Sequence, residues 1–190
     1  MAGDIMKYVI SKKFTIDCAH RVYNQQIEGG KCKHIHGHTY EFEVFLESDT
    51  LDHDMVLDFT YLKVVKDFLD KYLDHRLLVC IDDIDLIETL NMLLRSLGKC
   101  NAYGPECEFE FVSLNPDVLK RILSRQYVLK LEHYNPLINS VTLLPCNTTS
   151  ERLAEWLLTI CKNVLSLNVS KVSVKETPKS YAEVNVNTGV

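Results

Sequence analysis

The stretch from Tyr40 to Glu47 constrains this chain most. Tyr40, Phe42, Val44 and Leu46 alternate with Glu41, Glu43, Phe45 and Glu47. A period of two sends successive side chains to opposite faces, so the segment is a β-strand with one buried and one mostly wet face. The pattern runs backward into Cys32-Lys33-His34-Ile35-His36-Gly37-His38-Thr39. Three histidines at alternate positions on an extended backbone point to one side and can converge on one metal ion, for which imidazole is a common ligand. His36 and His38 share the parity of Tyr40 and Phe42, so they face inward, where an imidazole needs a partner. The segment is also compatible with a His- and Lys-rich surface loop. The clustering of Cys with His favours metal binding.

A chain of 190 residues, 46% hydrophobic and 25% charged, can bury a core of its own, and its length suits one domain carrying an insertion. The net charge of −5 comes without a basic run. That argues against general binding to nucleic acid or anionic membranes and leaves room for a local basic pocket. No apolar stretch has the length of a membrane span. The seven cysteines are odd in number and form no Cys-x-x-Cys pair, and residues 1–8 lack a basic segment followed by an apolar one. A cytoplasmic protein with reduced thiols is the expectation. Most of these thiols read as small buried apolar groups, with Cys32 the exception.

Residues 7–17 are β-prone, and the strand runs out at Cys18-Ala19-His20-Arg21, which puts His20 near a strand end. Residues 24–34 contain Gly29-Gly30 and read as a loop. A helix is expected from near Phe59, with Leu62, Val65, Leu69 and Tyr72 forming one apolar stripe before Asp74-His75. That Asp-His pair suits either acid/base chemistry or a charged helix end. Residues 83–97 read as a helix ended by Gly98, residues 106–114 as a strand, residues 115–123 as a short helix and residues 141–146 as a strand. Thr148 and Glu151 have capping-box spacing at the start of a last helix carrying Leu153, Trp156, Leu157 and Ile160. Two strands close the chain, residues 171–176 and 181–186. Val172, Val174 and Glu176 share a parity, so a carboxylate ends an inward-facing row. The order is strand, strand, helix, mixed insertion, helix, strand, strand, which is α+β with an antiparallel sheet. No Gly-x-Gly-x-x-Gly, P-loop or Gly-x-Ser-x-Gly motif occurs.

His20, Cys32-x-x-x-His36-Gly37-His38, Asp58-Phe59, Asp74-His75, Thr149-Ser150-Glu151 and Lys175-Glu176-Thr177 follow one another along the chain. In this order they resemble the family of 6-pyruvoyl-tetrahydropterin synthases and 6-carboxytetrahydropterin synthases, over residues 7–79 and 147–186. The resemblance implies a T-fold: a four-stranded antiparallel sheet with two helices on one face, here one domain over 1–190 with a mixed insertion at about 80–146. It implies a homo-oligomer, a hexamer or trimer with active sites between subunits. It assigns zinc to His20, His36 and His38, leaving His34 a bystander, and it makes Cys32, Asp74 and His75 catalytic. It gives Glu176 and Thr149 to the pterin. The implied substrate is 7,8-dihydroneopterin triphosphate, and the implied class is a lyase.

The short Cys32-to-His36 spacing and Lys175-Glu176-Thr177 resemble the 6-carboxytetrahydropterin branch, which belongs to 7-deazapurine (queuosine) biosynthesis. There the products are triphosphate, acetaldehyde and the 6-carboxy pterin. The alternatives are the pyruvoyl branch of tetrahydrobiopterin synthesis and a non-catalytic pterin-binding T-fold. A cupin-like metal site using Glu41 is disfavoured, because Glu41 has the opposite parity to His36 and His38. Two positions depart from the family pattern. Asp54 stands where Gly is usual before Met55-Val56, and Val79 stands where Asn is expected.

Overall fold

The computed structural model describes residues 6–111 and 113–186. Two long strands, β1 (Tyr8–His20) and β2 (His36–Ser48), pair antiparallel along their whole length, from Tyr8↔Ser48 to His20↔His36. Their alternation divides them as expected: Phe14, Ile16, Cys18, Tyr40, Phe42 and Val44 are buried on one face, while Glu41 and Glu43 meet Lys13 on the other. β8 (Val169–Thr177) pairs antiparallel with β2, and β9 (Ser180–Asn185) with β8. These four strands are the expected antiparallel sheet.

Two helices cover the apolar face. α1 (Lys63–Tyr72) buries Val65, Phe68, Leu69 and Tyr72, and α5 (Ser150–Asn163) buries Leu153, Trp156, Leu157 and Ile160. Each such large side chain contributes about 1.5–3 kcal/mol by leaving water. α1 starts at Lys63 rather than near Phe59, because Asp58 first accepts the Thr60 N–H at 2.8 Å and forms a turn. α5 is capped by Thr149, whose hydroxyl accepts from the Arg152 N–H. The expected cap, Thr148, is instead fully buried with its hydroxyl turned toward Arg21. Asp54 sits at a φ of 65°. That left-handed conformation suits glycine, and Asp is among the few other residues that tolerate it.

The segment between α1 and α5 does not stand apart as a cap on the sheet. It extends it. β3 (Leu77–Cys80), β4 (Cys100–Tyr103), β5 (Glu108–Phe111), β6 (Leu129–Glu132) and β7 (Val141–Leu144) join one nine-stranded sheet in the order β5-β4-β6-β7-β3-β1-β2-β8-β9. β3 runs parallel to both β1 and β7, so the whole sheet is mixed, not antiparallel throughout. α2 (Ile84–Leu97), α3 (Pro116–Gln126) and α4 (Pro136–Asn139) accompany these strands. A second apolar cluster forms here, around Ile87, Leu94, Leu119, Leu123, Leu131 and Leu143, and includes Val79. Of its strands, β3, β4 and β6 had no counterpart in the sequence reading.

Candidate active site

The β1–β2 register gathers the histidines. His20 pairs with His36, and Cys18 with His38, so all three imidazoles share one face at one end of the hairpin. Ring centroids are 4.6 Å apart for His20 and His36 and 4.8 Å for His36 and His38. β8 adds Glu176 beside them: Oε1 lies 2.9 Å from His38 Nε2 and 3.3 Å from His20 Nε2. One ligating atom from each of His20, His36, His38 and Glu176 lies within 4.8 Å of all the others.

Hydrogen bonds settle the ring faces. His20 Nδ1 lies 2.9 Å from the Thr148 carbonyl, and His36 Nδ1 lies 2.7 Å from the His34 carbonyl. A carbonyl only accepts, so each Nδ1 carries a proton, and in the neutral ring Nε2 then keeps its lone pair. Tyr40, fully buried, places its hydroxyl 3.1 Å from His20 Nε2. Burial pushes the Tyr40 phenol up, and the charge of Glu176 adds to this, so it remains a donor. His38 Nε2 is buried and forms no hydrogen bond despite its closeness to Glu176. Burial holds the His38 imidazole below its ordinary value; Glu176 pulls the other way, and the charges of His20 and His36 reinforce the lowering. The His20 contact draws the Glu176 carboxyl below its ordinary value, against the opposing effect of burial.

This arrangement fits a metal ion. Imidazole nitrogens and a carboxylate are donor types that zinc takes. A buried ring nitrogen with no hydrogen-bond partner is what an absent cation would leave.

His38 borders two cavities. One, of about 530 Å³, is lined by Cys18, Thr39, His75 and Arg76 among others; the second, of about 490 Å³, is lined by Thr39, Lys175 and Glu176. His75 Nδ1 lies 3.0 Å from Asp74 Oδ2. Asp74 Oδ1 accepts the Asp17 N–H at 3.0 Å, and the His75 N–H donates to the Asp17 carbonyl at 2.6 Å. The adjacent pair can meet because His75 has a left-handed backbone, with φ at 56°. Asp17 Oδ1 also accepts from Thr39 at 2.5 Å. Burial pushes the Cys18 thiol up to about 12, which leaves it protonated.

Residues 9–187 match the family model described as 6-pyruvoyl tetrahydropterin synthase. The chain belongs to that family. It is thus an enzyme of a lyase family of pterin synthases. It is 29% identical over 185 residues to a Pyrococcus horikoshii protein provisionally named a 6-carboxy-5,6,7,8-tetrahydropterin synthase, across 94% of this chain and 93% of that protein. A 6-carboxy-5,6,7,8-tetrahydropterin synthase of Haemophilus influenzae is 25% identical over 181 residues, covering 93% and 97%. Among solved structures, an uncharacterised Wolinella succinogenes protein, WS1659, superposes with a TM-score of 0.66 at 27% identity, covering 95% of this chain and 98% of the other. The Caenorhabditis elegans 6-pyruvoyl tetrahydropterin synthase has the same fold, with a TM-score of 0.54 at 18% identity and coverage of 96% and 98%.

The residues that the pterin synthase resemblance singled out lie in four places. His20, His36, His38 and Glu176 form the cluster. His75, paired with Asp74, lines the larger cavity together with His38. Cys32 is half-buried in a short 3-10 turn (Lys31–Lys33), whose Cys32 carbonyl accepts from the Val22 N–H at 2.7 Å, two residues past His20. Among the described residues its thiol forms no hydrogen bond. Thr149 uses its hydroxyl on the α5 cap, and the neighbouring Ser150 reaches the site, its Oγ 3.2 Å from Glu176 Oε2. The sequence reading missed Ser150, Thr148 and Tyr40 as contacts of the cluster. Tyr40 was detectable, because it continues the inward parity of His36 and His38.

Proposed function

We propose that the chain is a zinc-dependent lyase that converts 7,8-dihydroneopterin triphosphate to 6-carboxy-5,6,7,8-tetrahydropterin with loss of triphosphate and acetaldehyde, a step of 7-deazapurine (queuosine) biosynthesis. The observation that carries this reading is the cluster of three imidazoles and a carboxylate within 4.8 Å, with His38 Nε2 unpartnered at the edge of two cavities. His20, His36 and His38 would hold the zinc, which would supply Lewis acidity toward the substrate's side-chain hydroxyls. Cys32, as thiolate, takes a proton from the side-chain carbon. Asp74 orients the His75 imidazole, which lines the larger cavity and exchanges protons as acid and base. Glu176 accepts two N–H groups from the pterin edge, a bidentate contact that fixes orientation, and the Thr149 segment seats the same ring.

The assembly we propose is a single T-fold domain with an insertion at about 80–146, in a cytoplasmic ring of identical subunits whose active sites lie between neighbours. Two open sheet edges support the ring. β9 ends the sheet, and β1 meets β3 in register only at Ala19↔Leu77, so the first half of β1 is unpaired on that side among the described residues. Branch choice rests on the names of the relatives and on the Cys32-to-His36 spacing.

The deciding experiment incubates zinc-loaded protein with 7,8-dihydroneopterin triphosphate and identifies the pterin by mass. The expected product is 6-carboxytetrahydropterin. A 6-pyruvoyl product would move the enzyme to the tetrahydrobiopterin branch, and absence of turnover with tight pterin binding would make it a binding protein. Cys32→Ala should lower turnover by 10²-fold or more, and full activity in that variant would remove Cys32 from the mechanism.

A further inference from the structure

We propose that Glu176 is a ligand of the metal when no substrate is bound, and that it leaves the metal when a pterin arrives, so that one carboxylate serves two partners in turn. The inference rests on the reading of His20, His36 and His38 as a zinc site and of Glu176 as the pterin anchor.

Three observations point to it. Donor atoms sharing a tetrahedral zinc at about 2.0–2.1 Å stand roughly 3.3 Å from one another. Glu176 Oε1 lies 3.3 Å from His20 Nε2 and 2.9 Å from His38 Nε2, which is the spacing of a co-ligand. The second observation is the unpartnered nitrogen. His38 Nε2 is buried and makes no hydrogen bond although the carboxylate oxygen is in range, which leaves it available to a cation. The third is the backing of the carboxylate. Ser150 Oγ donates to Oε2 at 3.2 Å, which leaves Oε1 turned toward the histidines. Because Ser150 opens α5 directly after the Thr149 cap, this support is fixed by the helix. Metal-bound carboxylates are held in this way, with the second oxygen hydrogen-bonded to a neighbour.

The consequence is an exchange. A carboxylate on the metal completes four coordination with three imidazoles and closes the position a substrate hydroxyl needs. The same carboxylate also faces the cavity of about 490 Å³ that Lys175 and Thr177 line. A pterin in that cavity offers two N–H donors to the carboxylate. Drawing Glu176 onto them opens the coordination position at the moment the substrate's hydroxyls are placed beside it. Binding and metal activation are thereby coupled through one side chain.

The test uses the full-length protein loaded with Co²⁺ in place of zinc, read by visible absorption, together with Zn²⁺ affinity by competition with a chromophoric chelator. Wild type, Glu176→Ala, Ser150→Ala and His38→Ala are compared without substrate. Glu176→Ala should bind Zn²⁺ at least tenfold more weakly and should change the intensity and position of the Co²⁺ bands. Ser150→Ala, which keeps the carboxylate, should show a smaller change in the same direction. Unsubstituted pterin has the guanidine-like edge and no side-chain hydroxyls. At a concentration shown to be saturating by its fluorescence, it should move the wild-type spectrum toward that of Glu176→Ala. Equal affinity and identical bands in wild type and Glu176→Ala, with metal lost in His38→Ala, would overturn the proposal and leave the three-histidine site standing. Failure of wild type to bind either metal would overturn both. Bound pterin with an unmoved spectrum would overturn the exchange.

Discussion

Asp83 should be the most costly single carboxylate to remove outside the active site. It is 2% exposed, its Oδ2 accepts from Arg21 Nε at 2.6 Å, and its Oδ1 accepts from Arg21 Nη2 and from the Leu86 N–H at the start of α2. Asp83→Ala therefore removes one half of a buried bidentate pair and one helix cap together. Breaking a buried pair costs about 3–5 kcal/mol and losing a cap about 1 kcal/mol. The Arg21 side chain is 23% exposed and regains some water, so the low end applies. We expect a loss of about 3 kcal/mol. For a chain of this size that lowers Tm by roughly 6–12 °C. Urea unfolding should show a lower midpoint with an unchanged slope. Asp83→Asn keeps an oxygen for the cap and should separate the two contributions, and a cycle with Arg21→Met should recover part of the loss in the double variant. Costs below about 1 kcal/mol for both Asp83→Ala and Arg21→Met would refute the reasoning.

Thr142 is fully buried and its hydroxyl donates to the Tyr72 carbonyl at 2.6 Å, so Thr142→Val should cost about 1–3 kcal/mol in urea unfolding by leaving that carbonyl without its partner. Burial works to raise the Asp74 carboxyl, yet its bonds from the Asp17 N–H and His75 outweigh this and hold it below the ordinary value. A depressed carboxyl stabilises the fold above its unfolded pKa, so the stability gap between wild type and Asp74→Asn should be constant at neutral pH and close as the pH falls below about 4; acid unfolding curves of the two proteins measure it. Thr148→Val removes the hydroxyl that contacts Arg21 and the His20 ring while keeping the Thr148 carbonyl, and zinc affinity should fall by about tenfold in a chelator competition.

Strand parity made half of the site legible. It turned His36, His38 and Glu176 inward before any neighbour was known, because a period of two is a local property. The pairing of His20 with His36 was beyond local reading. A loop of some length joins the two strands, and hairpin register is set by turn geometry that such a loop does not encode; His20 entered through the resemblance instead. In the segment Thr148-Thr149-Ser150-Glu151, three consecutive hydroxyls offer three possible caps. Only the tertiary contacts decide that Thr149 caps α5, Thr148 goes to His20 and Ser150 to Glu176. β3 escaped a periodic reading for a different reason, and β7, read as a strand, showed no alternation either. Leu77–Cys80 and Val141–Leu144 are covered on both faces, so they read as continuous apolar runs with no alternation.

The insertion and the site are joined by charges that follow the site residues in the chain. Arg21 follows His20, and Arg76 follows His75. Arg21 lies just past the end of β1, and Arg76 follows the left-handed turn at His75. Arg21 finds Asp83 at the head of α2. Arg76 donates to the Asn139 carbonyl at 2.8 Å, beside the start of β7, and its half-buried guanidinium is held below its ordinary value by that burial. Each arginine thus fastens one wall of the cavity to residues of the 80–146 segment. The main chain repeats the link, since the Leu77 N–H donates to the Ser140 carbonyl at 2.8 Å and the Ala19 N–H to the Arg76 carbonyl at 2.9 Å. Displacing β7 would therefore pull on Arg76 and β3, and through them on the Asp17 peptide that holds both Asp74 and His75. The added strands act as a brace behind Asp74 and His75, and they do so by extending the sheet from β1, the strand that carries His20.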